Sequence, residues 1–146
     1  MTESAPPAPS AADLPLLQDT LSRVFAPWVQ ELNLSVLQAH AGEVTLALPV
    51  APRHVHGGGV LCGQTMMAAC DTAMVLAVMT RIGAFKPMTT VQLQTSFLRP
   101  GAGDSGTVRV VARVLKLGRN LIFGEVEVQD GKGQLAAHAT VTCALL

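Results

Sequence analysis

The chain has 146 residues, enough for one domain with one hydrophobic core, and its composition is 49% hydrophobic against 14% charged. Soluble domains carry about a quarter charged residues, so much of this surface must be hidden, which points to a homo-oligomer. The formal net charge is zero with no Lys/Arg cluster, and this excludes the electrostatic footprint of nucleic-acid binding.

Residues 1–12, rich in Ala, Pro and Ser, read as a disordered terminus. They hold no basic region and no apolar run, so no signal peptide is visible. The three cysteines, Cys62, Cys70 and Cys143, have neither CxxC nor zinc-ligand spacing and are an odd number for disulfides. The expectation is a reduced, cytoplasmic, soluble protein.

From Asp13 onward the spacing of Leu14, Leu17, Leu21, Val24 and Phe25 predicts a helix, with Asp13 as N-cap, Pro15 in the first turn and Pro27 ending or kinking it. "LSVLQAHAGEVTLALPV" reads as two strands joined at Ala41-Gly42. Residues 51–63 form a Pro/Gly/His-rich loop. Gln64–Thr80 follows without Pro or Gly, too long for a strand and rich in Ala and Met, and is predicted helical. That helix is short for a membrane span and is interrupted by Asp71.

After the loop 81–88, "TVQLQTSFLRP", "TVRVVARVLKLG", "NLIFGEVEVQD" and "GQLAAHATVTCALL" read as strands. The last places Leu135, Ala137, Ala139, Val141 and Cys143 on one face. Short turns at Gly118-Arg119 and Asp130–Gly133 favour antiparallel neighbours. A helix apolar all round must be covered all round, so residues 13–146 are expected to form one α+β domain. In it, about six antiparallel strands curl around one long buried helix.

Asp71 is the chemical outlier. An ionised carboxylate among Met66, Met67, Ala68, Ala69, Met74 and Val75 costs several kcal/mol unless it is paired or hydrogen-bonded. It is either a general base or nucleophile facing a cleft, or a structural, hydrogen-bonded group. Gly57, Gly58, Gly59 and Gly63 precede the helix, where free amides attract a negative oxygen as in an oxyanion hole; the competing reading is a flexible connection. Cys62 near His54 or His56 is a weak nucleophile pair without a third, orienting residue. The histidines His40, His54, His56 and His138 lack metal-ligand spacing, and no metal site is expected. Arg119 offers a cation at a tight turn, for an anion or for solvent.

The order of "CDTAM", "TTVQLQTSFLRP", "VLKLGRNLIFGEVEV" and "AAHATVTCAL" resembles the hotdog-fold acyl-CoA thioesterases of the phenylacetic-acid-degradation (4-hydroxybenzoyl-CoA thioesterase-like) family, over roughly residues 35–146. Members of that family carry His-Gly-Gly, with the catalytic Asp nine residues after the His. Here His56-Gly57-Gly58 lies fifteen residues before Asp71. Setting Asp71 in register puts Cys62, Gly63 and Gln64 on the His-Gly-Gly positions, near the Ser-Gly-Pro-Thr of a subgroup. His56 then falls where many relatives have an orienting Asn.

The resemblance implies thioester hydrolysis. The carbonyl oxygen would sit on the Gly63 amide, while Asp71, from the other subunit, attacks or activates water. Thr90 supplies a hydroxyl near the carboxylate, and Arg99 and Arg119 are candidates for coenzyme A phosphates. Cys62 and Gln64 would line the substrate site. The resemblance implies a homodimer or homotetramer acting on acyl-CoA, with no separate cofactor and no nucleic-acid or membrane partner. The rivals are a non-catalytic acyl-CoA-binding protein, a hotdog enoyl-CoA hydratase and a purely structural domain.

Overall fold

A computed structural model describes residues 13–101 and 106–146. The segment 1–12, expected to be disordered, lies outside the described residues. Helix α1 (Asp13–Arg23) starts at Asp13 and buries Leu17 and Leu21 while leaving Val24 exposed. Pro27 neither ends nor kinks it. The helix stops four residues earlier, and Pro27 opens a second short helix, α2 (Pro27–Gln30). The first helical position suits proline because the amide there has no helical partner to lose.

The two expected strands β1 (Ser35–His40) and β2 (Glu43–Pro49) form a hairpin whose turn needs Gly42 at φ +81°. The Gly42 amide donates to Thr80 Oγ1 at 2.8 Å, tying the hairpin to the far end of the long helix. That helix, α3 (Gly63–Ile82), ends at Gly83 in the left-handed conformation, whose amide bonds the Met79 carbonyl.

Four further strands complete the sheet: β3 (Met88–Phe97), β4 (Thr107–Leu117), β5 (Leu121–Gln129) and β6 (Leu135–Leu145). The order is β1-β2-β4-β5-β6-β3, and every pairing is antiparallel. α3 packs against all six strands. Its Met74, Leu76, Ala77 and Val78 meet Val44, Leu46, Val110, Val126 and Val141 in the core. Gly124 on β5 is what lets the helix approach: a Cβ there would collide with the Met74 thioether and lie 2.7 Å from the Arg113 carbonyl. This is the α+β architecture of a hotdog fold. α3 has the length and apolarity to cross a membrane, but two-thirds of it is buried by the sheet, so it is the core helix.

One expectation changes. α3 is not covered all round: Gln64 is exposed, and Ala68, Asp71 and Val75 stay half-buried along one stripe. Spacings of four, three and four residues put these side chains on one face. Beside this open seam runs β3, the edge strand, paired only with β6 and with most of its residues exposed.

Candidate active site

Two backbone bonds set where α3 begins. The Cys62 amide donates to the His54 carbonyl at 2.8 Å, and the Leu61 amide donates to the Gly101 carbonyl at 2.7 Å. The chain is thereby turned so that Gly63 opens the helix, and the amides of Gly63, Gln64 and Thr65 have no partner among the described residues. These are first-turn donors at the positive end of a 20-residue helix, the arrangement that stabilises a developing oxyanion. A side chain at position 63 would press on a neighbour. The Phe97 ring lies 3.1–3.5 Å from where its Cβ would sit.

Asp71 lies on the open seam, and its Oδ1 accepts a 2.5 Å hydrogen bond from the Thr90 hydroxyl. A bulge in β3 brings this about: Thr90 pairs with Cys143, Gln92 with Thr142, and Val91 between them is left unpaired and 59% exposed. The extra residue re-aims the strand, so that Thr90 faces the helix together with Leu93, Thr95 and Phe97. The buried Thr95 hydroxyl on that face has no partner among the described residues.

The thiols flanking Asp71 are inert. Burial, and then the neighbouring Asp71 charge, push Cys70 up to about 12. The same two causes take Cys143 up to about 11, against a smaller opposing contribution from the Thr90 hydroxyl. Nucleophilic thiols need the reverse, a lowered pKa. Cys62 is the N-cap of α3, with its sulfur 2.9 Å from the Thr65 hydroxyl.

His56 is exposed in the 51–62 loop, and its Nδ1 accepts the Gly58 amide at 2.9 Å. That bond shapes the His-Gly-Gly-Gly turn itself. Gln64 lines a different cavity, of about 240 Å³, together with Trp28, Arg53 and His54. His54 is buried and its Nδ1 has no partner among the described residues. Its pKa is lowered by burial first and by Arg53 second, against the opposing effect of a hydrogen bond that the ring donates to the Pro49 carbonyl.

Arg99 lines a cavity of about 380 Å³ that includes Gly63 and Phe97. Arg119 lies elsewhere, in the turn between β4 and β5. That turn adjoins Ile122 and Cys143, at the Thr90 end of the β3–β6 ladder. Phe97 and Thr90 are seven residues apart, roughly 20 Å along a strand. One subunit therefore places Arg99 at the Gly63 end and Arg119 at the Asp71 end. The sequence does not mark the bulge that aims Thr90, and its only sign of Phe97's place is an apolar residue in register with Leu93 on one face of β3.

Gly63 and Asp71 belong to one helix eight residues apart, which is about 12 Å of axial rise. A single thioester carbonyl cannot touch both, because reacting groups need contacts of about 3 Å.

The sequence matches the thioesterase superfamily over residues 54–137. A protein of Thermoplasma volcanium that carries a provisional esterase name is 32% identical over 99 residues, which is 68% of this chain and 72% of that one. Among solved structures, the phenylacetic acid degradation protein PaaI of Thermus thermophilus, in an N33D mutant form, superposes with TM-score 0.71 at 31% identity. The match covers 83% of this chain and 100% of that one. A thioesterase of Haemophilus influenzae superposes with TM-score 0.80 at 22% identity, covering 91% and 90%.

Proposed function

Because the chain belongs to the thioesterase superfamily, an ester- and thioester-hydrolysing class, we propose that it hydrolyses acyl-CoA thioesters at a site shared between two subunits. The observation that carries this reading is Asp71: a carboxylate on an otherwise apolar core helix, held by Thr90 and facing an open seam. The thioester carbonyl oxygen accepts the Gly63 amide at the positive end of α3, where charge builds up as the carbon is attacked. The Asp71 carboxylate of the second subunit either attacks that carbon, forming a mixed anhydride that water then hydrolyses, or takes a proton from the water that attacks it; in both routes the C–S bond breaks, coenzyme A leaves as a thiolate that is then protonated, and the acyl group is released as a carboxylic acid.

The 12 Å between Gly63 and Asp71 within one chain is the reason for a homodimer. β3 is the free edge next to both groups, and Val91, Phe97 and Leu98 leave it apolar enough to want cover. Antiparallel pairing of two β3 strands about a two-fold axis carries the Thr90 end of one towards the Phe97 end of the other. That brings Asp71 to the partner's amide, and Arg119 to the side of Arg99 for the coenzyme phosphates. Further pairing to a tetramer and a cytoplasmic setting fit the low surface charge and the three free thiols. Cys62 occupies the N-cap position beside the Gly63 amide, while Gln64 turns to the cavity of Trp28 and Arg53.

An enoyl-CoA hydratase would need a histidine beside Asp71. In one subunit the four histidines lie elsewhere: His40 bonds Glu43, His138 bonds Glu125, His56 bonds the Gly58 amide, and His54 lines the cavity of Trp28 and Arg53. His56 is left with an assisting role, at most through its free Nε2. Thiol release over short, medium, long and aryl acyl-CoAs, with Asp71→Asn as control, tests the proposal. Turnover by a folded Asp71→Asn protein would sink it, and tight binding without release would favour a non-catalytic acyl-CoA-binding protein.

A further inference from the structure

One end of the sheet is unbalanced both in charge and in apolar surface. Leu121 and Phe123 flank the fully buried Ile122, so both point away from α3. Lys116 pairs with Phe123 across β4 and β5, and a bulge beside it leaves Leu115 unpaired. The end of β6 ties this hairpin to the loop before β3. The Leu145 amide donates to the Asn120 carbonyl at 2.9 Å and the Leu146 amide to the Pro87 carbonyl at 3.1 Å, which brings Phe85 and Lys86 to the same end. Four large apolar side chains are exposed there, from 39% at Phe85 to 62% at Leu115.

Lys86, Lys116 and Arg119 are exposed and make no ion pair among the described residues. The carboxylates of neighbouring elements are engaged: Glu43 with His40 and Arg113, Glu125 with His138, Asp71 with Thr90. In a chain of zero net charge, this local positive excess suits a negative partner. A nucleotide satisfies the cations but covers little of an apolar patch spread over a hairpin and a separate loop. A second copy would meet the patch with itself about a two-fold axis and set like charges together. A bilayer fits no better. In the dimer proposed above the two patches lie at opposite ends, and one flat surface cannot meet both. An acidic protein with an apolar face meets both demands. The patch also borders the site, because Ile122 pairs with Cys143, and Cys143 pairs with Thr90 beside Asp71.

We infer that this end of the sheet docks an acidic acyl carrier protein, whose phosphopantetheine arm brings its thioester to the shared site as coenzyme A does. The inference rests on the thioesterase reading above. The C–S bond breaks, water supplies the hydroxyl of the released acid, and the carrier keeps the arm as its free thiol.

The test is kcat/KM for one straight-chain acyl group carried on an acidic acyl carrier protein, on coenzyme A and on pantetheine. The proteins are the wild type, Lys86→Glu, Lys116→Glu and Phe123→Ser. Each substitution should lower kcat/KM on the carrier about tenfold or more, through KM, and leave acyl-pantetheine unchanged. Added salt should weaken the wild type on the carrier in the same way. An equal loss on the carrier and on coenzyme A, with pantetheine intact, assigns the patch to the nucleotide and overturns the docking. An equal loss on all three substrates assigns it to the fold and also overturns the docking. Unchanged carrier kinetics, with binding to phosphatidylserine vesicles lost in Lys116→Glu, overturns it in favour of a membrane. A wild type that hydrolyses acyl-CoA but not the acyl carrier overturns it while leaving thioester hydrolysis standing. No thiol release by the wild type from any of the three overturns both.

Discussion

The Thr90 hydroxyl donates to the Asp71 carboxylate at 2.5 Å, and this bond joins the edge strand β3 to the open seam of α3. It exists because a one-residue bulge turns Thr90 towards the helix. A hydrogen bond to a charged group is worth about 1.5–3 kcal/mol. Thr90→Val is therefore expected to lower kcat on acyl-CoA by about ten- to a hundredfold, with Thr90→Ser retaining most of it. Solvent competes for the bond at this exposed position, so the thermal midpoint should fall by only a few degrees. Equal activity for the Val and Ser variants would remove the hydroxyl from the chemistry.

The shared site makes a stricter demand. Gly63→Val drives a side chain into the Phe97 ring and blocks the approach of a carbonyl to the amide. Asp71→Asn removes the carboxylate. Each variant alone is expected to be inactive as a homodimer. Co-expressed with two different tags, they form heterodimers in which one of two sites has an intact Gly63 from one chain and Asp71 from the other. Random pairing of equal amounts then restores about a quarter of wild-type activity, all of it in the doubly tagged fraction. No recovery in that fraction would place Gly63 and Asp71 in the same subunit's site.

Much of this was legible beforehand, and the exceptions have physical causes. Apolar spacing located α1, length with Ala and Met propensity located α3, and apolar runs bounded by turn residues located the six strands. The carboxylate of Asp71 stood out because its burial would be expensive. "HGGG" was set aside by counting back from Asp71, and the structure gives His56 a local role, closing its own turn on Gly58. What stayed hidden depends on tertiary contact. The sequence of α3 looks apolar all round, and only the packed sheet decides which stripe stays open. A bulge adds one residue without any compositional mark, so the aim of Thr90 could not be read from "TTVQLQ". Pro27 was read as a helix breaker when its other role, as a helix opener, prevailed.

Gly124 offers a test of the fold alone. It sits on β5 under Met74, and a Cβ there meets the Met74 thioether as well as the Arg113 carbonyl at 2.7 Å. Methionine can swing away, but the strand backbone cannot. Gly124→Ala should therefore cost about 1–3 kcal/mol, as overpacking does, and lower the urea midpoint without changing m. Shortening the clashing neighbour in the double variant Gly124→Ala, Met74→Ala should recover only part, because the backbone contact remains. A neutral single variant would show that α3 and β5 are farther apart than described.

His54 makes stability depend on pH in a narrow window. Burial, aided by Arg53, lowers its pKa from the ordinary 6.5, so the folded chain prefers the neutral ring. Above that pH neither state binds the proton and no penalty exists. As pH falls through 6.5 the unfolded chain takes up the proton first, and stability is lost progressively until the folded pKa is reached. Glu43 acts in the same direction at lower pH. Burial alone would raise its pKa, but the His40 and Arg113 hydrogen bonds outweigh this and lower it below 4.5, so its contribution disappears only in stronger acid. Urea midpoints measured between pH 7.5 and 5 should therefore fall for the wild type and fall less for His54→Gln. Both proteins should then decline together below about pH 4.5. Parallel curves over the upper window would mean that the buried imidazole is free to accept a proton where it stands.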